Sequence, residues 1–501
     1  TGLWNITSEI DLNDGNSATG NYNVVVSDTS LTAAKLIEIA AQTSGTVNAA
    51  NATSVAGPVS DLLTLAGLND GAGAGNLDLA TNYSATIDVT GGATATAANV
   101  LTILQDTSGS VNASGLTDIS GLAADLKLVQ AEASFSHNSP ANYTSTITDT
   151  TAGVADINSI AGNTSGVVTA TATSNDIAAL EDLTTASTDA ITVTVTTTDL
   201  DAAKLVALDA KTSVAITATA VENLSGTASE VAALIASSGV TLDSDFTASI
   251  TDEDGNSYAD AANVVAIDAA TSGTITATSV TELRGTSDNI VSSATSSQVT
   301  KDADLLFNVS SGSASVAQIN TLDALTTNVI TATITENDAA TLITLDNDNG
   351  NNALTIEVTD SEVSASNLAT IASSTSVAVD GTAVTTIEGS LDNVKSVFAS
   401  GGVTLTVSGS SAVDARITNS TVAAADVKTV DAATAGSVNI NTATSITGTA
   451  SDIASVMASS GVSHVASTLT ATVDGASVDA ADLITINANT DKAVAASAAT
   501  E

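Results

Sequence analysis

The chain has 501 residues and is strongly acidic, with 55 Asp and Glu residues, 10 Lys and Arg residues and a formal net charge of -45. Hydrophobic residues make up 43% of the chain, which predicts a folded protein and excludes a disordered acidic tail. A surface this negative repels phosphate backbones and anionic lipid headgroups. The composition therefore disfavours nucleic acid and anionic membranes as partners and favours cations.

Two residue classes are nearly or entirely missing. Aromatic residues account for 2% of the chain, which predicts a thin core of aliphatic side chains, and the absence of Cys excludes disulfides and thiolate metal sites. No uncharged apolar run approaches the roughly 20 residues of a membrane-spanning helix, so we expect no membrane insertion. The chain starts at Thr1 without a signal-peptide pattern, from which we expect a processed or excised product.

The first segment in chain order, residues 1–20, precedes the repeats and carries the apolar residues Leu3, Trp4, Ile6 and Ile10. Trp4 is the single Trp of the chain. We expect this segment to be an N-terminal cap or a coupling segment, with these four residues at an assembly interface.

Residues 21–495 are predicted to form a continuous array of about nine repeats of about 55 residues, followed by a C-terminal tail at 496–501. Thr227 and Thr449 begin matching stretches whose separation equals four such periods. Segments 45–57, 109–121, 273–285 and 436–448 align without gaps between glycines. Thr-Ser-Gly-like turns recur at 43–45, 107–109, 164–166, 212–214, 271–273, 326–328, 374–376, 434–436 and 489–491.

Each repeat alternates between the hydrophobic period of a strand and that of a helix, which predicts the order strand, helix, strand, helix. Strands are predicted at 191–198, 274–280 and 469–473, where aliphatic residues alternate with Thr, Ser and Asn. A helix over 228–238 follows the capping box formed by Thr227 and Glu230, and the same pattern recurs at Thr449. Gly239 and Gly461 are predicted to end these helices in the left-handed conformation.

Half a repeat, about 25 to 28 residues, is a typical length for one strand-plus-helix coil of a solenoid. Strands joined through a helix run parallel, and such crossovers are right-handed in nearly all cases. We therefore predict an α/β repeat fold: a right-handed β-α solenoid with a parallel sheet on one side, short Ala/Ser-rich helices on the other, and the outline of an elongated rod. A string of separate small α/β domains, one for each repeat, is the alternative.

The stretch 260–273, with the pattern Asp-Ala-Ala-x-Val-x-Ala-Ile-Asp-Ala-Ala-Thr-Ser-Gly, continues into Thr-Ile-Thr-Ala-Thr-Ser-Val-Thr-Glu-Leu-x-Gly-Thr at 274–286. This pattern resembles the repeats of very large cell-surface proteins of marine cyanobacteria, and the resemblance covers the chain from about Asn23 to Ala495. It implies an exported, non-enzymatic surface polymer or stalk, associated in that group with cell-surface architecture, adhesion or non-flagellar motility.

Candidate catalytic residues are scarce. The two histidines, His137 and His464, fall at what we take to be non-equivalent places of the repeat, and no Cys completes a metal or nucleophile site. The acids that recur before the turns, such as Asp268 and Asp431, are typical of capping roles. No phosphate-binding glycine motif is present, because the glycines at 71–75 lie in a loop that does not open a helix. We expect no enzyme.

Calcium is the sharpest chemical hypothesis, because Ca²⁺ takes six to eight hard oxygen ligands from Gly-containing loops. Three insertions place Asp and Asn around a Gly, and plain Asx turns explain them equally well. Any cofactor is therefore none or Ca²⁺. The candidate ligands are Asp252, Asp254, Asn256 and Asp260 in the first loop, Asp346, Asp348 and Asn351 in the second, and Asp11, Asn13 and Asp14 in the third.

Two functional hypotheses remain open. In the first, the chain is an extracellular structural protein, a subunit or segment of a cell-surface filament or stalk whose copies stack end to end. In the second, it is an adhesin or viral-fibre-like module that recognises glycan or protein through the insertions 67–80, 131–142 and 252–260, where Phe135, Tyr143 and Tyr258 offer aromatic surface.

Overall fold

A computed structural model describes residues 23–69, 76–90, 92–138, 141–253, 255–346, 351–405, 412–475 and 477–496, together with the backbone of residues 3–6. In this part of the chain, 36 short strands alternate with 17 helices, and the strands pair with parallel neighbours. The protein is therefore an α/β repeat solenoid, in which each coil contributes short strands and one helix.

The helices are short and follow one another at nearly regular intervals. Their bounds are α1 Ala33–Ala41, α2 Val59–Leu68, α3 Ala97–Asp106, α4 Ala123–Ala131, α5 Val154–Ala161, α6 Ile177–Leu180, α7 Ala202–Asp209, α8 Ala228–Ala236, α9 Ala261–Ala270, α10 Ser287–Thr295, α11 Val316–Asp323, α12 Ala339–Leu342, α13 Ala365–Ser373, α14 Leu391–Ala399, α15 Ala424–Ala433, α16 Ala450–Ala458 and α17 Ala480–Ala488.

The chain divides into two compact units, of which the first comprises residues 1–226 and 233–246. Its strands are β1 Leu3–Ile6, β2 Asn23–Val26, β3 Ser30–Thr32, β4 Val47–Ala49, β5 Ser54–Gly57, β6 Leu77–Leu79, β7 Ser84–Ile87, β8 Thr94–Thr96, β9 Val111–Asn112, β10 Asp118–Gly121, β11 Phe135–Ser136, β12 Thr144–Ile147, β13 Val168–Thr171, β14 Ala190–Thr192, β15 Asp199–Asp201, β16 Ile216–Thr217, β17 Asn223–Thr227 and β18 Val240–Thr241. They pair in the orders β1-β2-β4-β6, β3-β5-β7-β9-β11 and β8-β10-β12-β13-β14, with β15 on β17 and β16 on β18.

The second unit comprises residues 227–232 and 247–501. Its strands are β19 Thr247–Thr251, β20 Ala259–Asp260, β21 Ile275–Ala277, β22 Glu282–Gly285, β23 Val299–Lys301, β24 Leu306–Val309, β25 Ile330–Thr333, β26 Ala353–Thr355, β27 Glu362–Ser364, β28 Val379–Asp380, β29 Thr386–Gly389, β30 Val403–Thr404, β31 Asp414–Ile417, β32 Thr421–Ala423, β33 Val438–Asn439, β34 Ser445–Thr449, β35 Val462–Ser463 and β36 Thr470–Asp474. They pair in the orders β19-β21-β23, β20-β22-β24-β25-β26, β27-β29-β31-β33-β35 and β32-β34-β36, with β28 on β30.

The helix starts reveal a period longer than one repeat. The two shortest helices, α6 and α12, begin at Ile177 and Ala339, and the helices that follow them, α7 and α13, begin at Ala202 and Ala365. These two separations are nearly equal, and each spans six helices. Six coils therefore form one larger period, made of three coil pairs. The repeat predicted from the sequence is one coil pair.

Small residues let neighbouring coils approach closely. A helix such as α9 buries Ala261, Val264 and Ile267 along one stripe, and the first of these three residues is usually Ala. In unit 1, a Cβ added to Gly57 would lie 2.9 Å from the Cβ of Ala33 in the preceding coil. The buried residues of the described ranges are mainly aliphatic, in keeping with the low aromatic content, although Tyr83, Tyr143 and Phe307 are the largest fully buried side chains.

Several local predictions need correction. The strand predicted at 191–198 is limited to Ala190–Thr192, followed by an isolated bridge at Thr194. Many coils hold two or three short strands before the helix, so the order of elements is richer than the predicted alternation. The capping box of Thr227 and Glu230 is confirmed, because each backbone N–H donates to the other side chain, at 2.9 and 3.2 Å.

Candidate functional site

The Thr of the recurring turn joins successive coils by hydrogen bonds. In all nine turns its hydroxyl accepts from the backbone N–H two residues on, for example from Val377 to Thr375 at 3.1 Å. In seven of them it also donates to a carbonyl of the preceding coil, 21 or 24 residues earlier. The nine residues are Thr43, Thr107, Thr164, Thr212, Thr271, Thr326, Thr375, Thr434 and Thr490. The turns predicted to begin at residues 374 and 489 therefore begin one residue later, at Thr375 and Thr490.

A second polar contact joins coils at the ends of the helices. Asp209 accepts a hydrogen bond from Ser237 of the next coil at 2.7 Å, and Asp431 accepts the equivalent bond from Ser459 at 2.9 Å. A Cβ on Gly239 would lie 1.8 Å from a carboxylate oxygen of Asp209. Gly239 and Gly461 are not in the left-handed conformation, so that prediction is wrong, and their role is to leave room for the Asp carboxylate.

Seven of the ten Lys and Arg residues are engaged in ion pairs, several of which run between coils. Lys395 pairs with Asp426 at 2.7 Å and Lys428 with Asp452 at 3.1 Å, and Arg416 contacts both Glu362 and Glu388 at 2.7 and 3.0 Å. These side chains are partly exposed, so each pair contributes little to stability. Most of the acidic groups have no cationic partner to offset them, and the surface stays strongly negative.

The first predicted calcium loop contains carboxylates that are already engaged. Both carboxylate oxygens of Asp252 accept from Thr281, from its N–H at 3.0 Å and its hydroxyl at 2.7 Å. Asp260 is the N-cap of α9 and accepts from the N–H of Ala262 at 2.8 Å. Asn256 donates its backbone N–H to the carbonyl of Glu253, and Asp254 lies outside the described residues.

An open acidic cleft of about 440 Å³ adjoins this loop in the second unit. Glu253 lines this cleft and accepts hydrogen bonds from both the N–H and the hydroxyl of Ser229. The guanidinium of Arg284 stacks over the ring of Tyr258 at 4.0 Å, and its Nε donates to Glu282 at 2.8 Å. The cleft is lined by Thr227, Ser229, Glu230, Glu253, Asn256, Tyr258, Asp260 and Asn263.

The second predicted calcium loop is only partly described. Asp346 donates its backbone N–H to Asn320 at 2.9 Å, Asn351 is exposed, and Asp348 lies outside the described residues, as do Asp11, Asn13 and Asp14 of the third loop. Within the described ranges no three His, Asp or Glu side chains come together as a metal site would require. Calcium binding therefore stays a prediction.

Sequence reasoning missed Asn352, the buried neighbour of Asn351. Its side chain accepts from the N–H of Ile330 at 3.0 Å and donates to Asp323 at 2.8 Å. Asp189, one six-coil period earlier, likewise accepts from a strand N–H, that of Val168, at 2.8 Å. The six-coil period could have revealed this pair, because the two residues occupy the same place in it.

The described residues of the predicted insertion at 131–142 help to line an aromatic cleft of about 340 Å³ in the first unit. The ring of His137 lies 4.8 Å from that of Tyr143 and 6.4 Å from that of Phe135. Tyr143 is buried, which raises the pKa of its hydroxyl, and the amide of Gln130 donates to it at 3.1 Å. The other lining residues are Ser136, Asn138, Ala141 and Asn163.

The two histidines occupy equivalent positions, contrary to the prediction. His137 follows Ala123, the first residue of α4, by the same number of residues as His464 follows Ala450, the first residue of α16. Each places Nε2 at hydrogen-bonding distance from a backbone carbonyl, that of Leu116 at 2.9 Å and that of Asn489 at 3.0 Å. A carbonyl can only accept, so Nε2 carries the proton, and the buried Nδ1 atoms have no partner. Both residues thus act as inter-coil hydrogen-bond donors.

Comparisons with known proteins do not add a family: no family model matches the chain, and no curated protein matches it. Among the helices of the described ranges, none combines the length and hydrophobicity needed to cross a membrane.

Proposed function

We propose that this chain is a non-enzymatic, extracellular structural protein, a subunit or segment of a cell-surface filament or stalk. The observation that supports the proposal is the Thr contact between coils, which recurs in seven of the nine turns. Hydroxyl groups are the commonest potential nucleophiles of this chain, and the buried ones of the turns are engaged in holding coils together. A nucleophilic site requires an adjacent base to activate such a group, and no His is hydrogen-bonded to these hydroxyls among the described contacts.

The surface charge supports the same proposal. A net charge of -45 keeps neighbouring chains apart and soluble at low ionic strength, and it concentrates cations along the surface. These properties suit a protein displayed outside the cell in a medium whose salt screens the repulsion between copies.

Immunogold labelling of intact and permeabilised cells of the source organism tests the proposal. Antibodies against the purified chain are expected to label intact cells at their surface. Labelling that appears only after permeabilisation would contradict an extracellular role. Negative-stain microscopy of the purified chain with calcium and with chelator tests the assembly and the calcium loops together, because threads that dissolve in chelator indicate bound Ca²⁺.

A second candidate function is recognition of glycan or protein through the loop insertions. It is favoured by the aromatic cleft around Phe135 and by the acidic cleft around Tyr258, because carbohydrate and cationic ligands both bind aromatic faces. A glycan array probed with the wild-type chain and with the Phe135→Ala and Tyr258→Ala variants tests it. A signal that is absent, or equal in all three proteins, would refute recognition at these clefts.

A further inference from the structure

The aromatic cleft of the first unit is lined by two side chains that each carry an acceptor atom without a hydrogen-bond partner. The amide of Gln130 donates to the hydroxyl of Tyr143 at 3.1 Å and to the carbonyl of Ile160 at 3.3 Å, and in the described part of the chain no donor reaches its Oε1 atom. His137 donates through Nε2 to the carbonyl of Leu116, and its buried Nδ1 atom accepts from no described group. Burial of an acceptor without a partner costs free energy, and a ligand that donates to the atom recovers that cost.

The equivalent position at His464 separates what the coils need from what the cleft adds. His464 also donates through Nε2 to a carbonyl of a neighbouring coil, and its Nδ1 atom likewise has no partner among the described residues. The places beside it, counted along α16 and the strands that follow, hold the buried aliphatic residues Met457, Val462 and Leu469. Beside His137 the same places, counted from α4, hold Gln130, Phe135 and Tyr143. Contact between coils therefore needs no amide and no aromatic ring here, so these groups are available to a ligand.

Three rings meet at the cleft, in a chain that has only four Phe and four Tyr. The ring of Tyr143 stands steeply to those of Phe135 and His137, at interplanar angles of 84° and 68°, with centroids 6.4 and 4.8 Å away. The face of an aromatic ring attracts a cation that lies within about 6 Å of its centre. The described lining includes no Lys or Arg, and the chain as a whole carries a charge of -45. Both the rings and the charge therefore favour a cationic ligand.

We propose that the aromatic cleft binds a primary ammonium group at the end of an aliphatic chain. An ammonium carries three donors and no acceptor, so it can donate to Oε1 of Gln130 and to Nδ1 of His137 and leaves no acceptor of its own unpaired. The methylene groups of the ligand would then pack on the ring of Phe135, which is only partly buried. A neutral hydroxyl can also donate to both atoms, but the negative charge of the chain does not attract it. This inference rests on the second candidate function, recognition through the loop insertions, and names a ligand class for this cleft.

Access to the two acceptors requires movement of a lining side chain, because both atoms are buried. Asn138 lines the cleft and is exposed, and exposed side chains change rotamer within picoseconds to nanoseconds. We therefore expect the ligand to displace the side chain of Asn138 as it binds.

Nuclear magnetic resonance tests the proposal on the full chain, because His137 and His464 are its only histidines. The chain, isotopically labelled in its imidazole rings, is titrated at about pH 8 with cadaverine, a linear diamine, or with the linear diol of the same length. Cadaverine is expected to shift the ring signals of His137 and to leave those of His464 unchanged, whereas the diol is expected to shift neither. An Nα-acetylated lysine amide, titrated in the same way, shows whether the Lys side chain of a partner protein fits the cleft as a free amine does.

Two variants copy residues that the chain itself carries at the equivalent position. Gln130→Met copies Met457, removes one acceptor and is expected to weaken cadaverine binding by about tenfold or more. Phe135→Val copies Val462, removes one ring and is expected to weaken binding as well. Gln105→Met on α3 is the control, since Gln105 is exposed and does not line the cleft, and it is expected to bind like the wild type. Circular dichroism verifies that each variant is folded.

Any of four results would overturn the proposal: unchanged His137 signals with cadaverine, equal shifts with the diol, equal shifts of both histidines, or normal binding by Gln130→Met. Equal shifts of both histidines would show a general attraction of amines to the acidic surface. A chain that binds no amine but gives a glycan-array signal that Phe135→Ala removes retains recognition at the cleft and loses only this ligand class. A chain that binds cadaverine but is labelled only in permeabilised cells retains the site and loses the extracellular role.

Discussion

Removing one turn hydroxyl tests whether the Thr contacts hold the solenoid together. Thr375 follows α13, contacts β26 and is 8% exposed. Its hydroxyl donates to the carbonyl of Leu354 at 2.7 Å and accepts from the N–H groups of Leu354 and Val377 at 2.9 and 3.1 Å. Thr375→Val keeps the shape of the side chain and removes all three hydrogen bonds.

The expected loss of stability depends on the backbone groups that the substitution leaves without a hydrogen-bond partner. The buried N–H and carbonyl of Leu354 and the partly buried N–H of Val377 lose a partner, and each such group costs about 1–3 kcal/mol when water cannot replace the bond. Part of this cost disappears if water enters the turn. We therefore expect Thr375→Val to lower the free energy of unfolding by about 2–4 kcal/mol.

Urea denaturation followed by circular dichroism measures this loss, and hydrogen exchange locates it. Exchange is expected to rise first in β26 and α13, because a coil contacts mainly its neighbours. Thr355→Val is the control, since Thr355 is exposed on the same strand and the change is expected to shift stability by less than about 0.5 kcal/mol. Equal midpoints for the two variants would refute the structural role of the turn hydroxyl.

Two further predictions concern buried contacts of single residues. Gly239→Ala is expected to destabilise the chain by about 0.5–1.5 kcal/mol, because the new methyl group displaces the Asp209 carboxylate and breaks its hydrogen bond with Ser237. Gly401→Ala, where a new Cβ has nothing within 4 Å, serves as control, and equal melting temperatures would contradict the reasoning. Burial, and then the hydrogen bond to Asp106, raise the pKa of Tyr83 well above its usual range. The folded chain therefore binds this proton more tightly than the unfolded chain, so stability is lost as pH rises above about 10. Absorbance at about 295 nm should show the Tyr83 phenolate only as the chain unfolds. Tyr83→Phe should remove the contribution of Tyr83 to the loss of stability at high pH. Titration of all the tyrosines with an unchanged circular dichroism spectrum would refute this prediction.

The repeat and its parallel strands could be predicted from the sequence because they depend on local pattern. The alternation of Ala, Val and Ile with Thr and Ser predicts strands, and the spacing of Val231, Leu234 and Ile235 predicts a helix. The Thr-Ser-Gly-like turns could be located in the sequence because their pattern recurs. The sequence did not indicate what their hydroxyls bind, because the carbonyl acceptor lies 21 or 24 residues earlier and becomes a neighbour only when the coils stack.

The errors arose where local residue preferences compete with stacking. A glycine after a helix usually indicates a left-handed residue, but Gly239 is required by the Asp209 carboxylate of the previous coil. The two histidines were predicted to be non-equivalent, although both lie at the same distance from the start of their helix. The calcium hypothesis is not among these errors: Asp252 and Asp260 accept hydrogen bonds from Thr281 and from the start of α9, and their role as calcium ligands stays a prediction.

The pairing of each coil with the coils next to it has a consequence for how the chain is made. Strand partners are close in sequence, as when Thr94, Asp118 and Thr144 lie side by side, so contacts form between segments that are synthesised one after another. Such local contacts need little loop closure, and a repeat array can nucleate at one place and grow from there. The chain can therefore fold progressively as it emerges from a ribosome, with each new coil packing on the preceding one before the rest of the chain is made. The absence of Cys removes any oxidative step from this process.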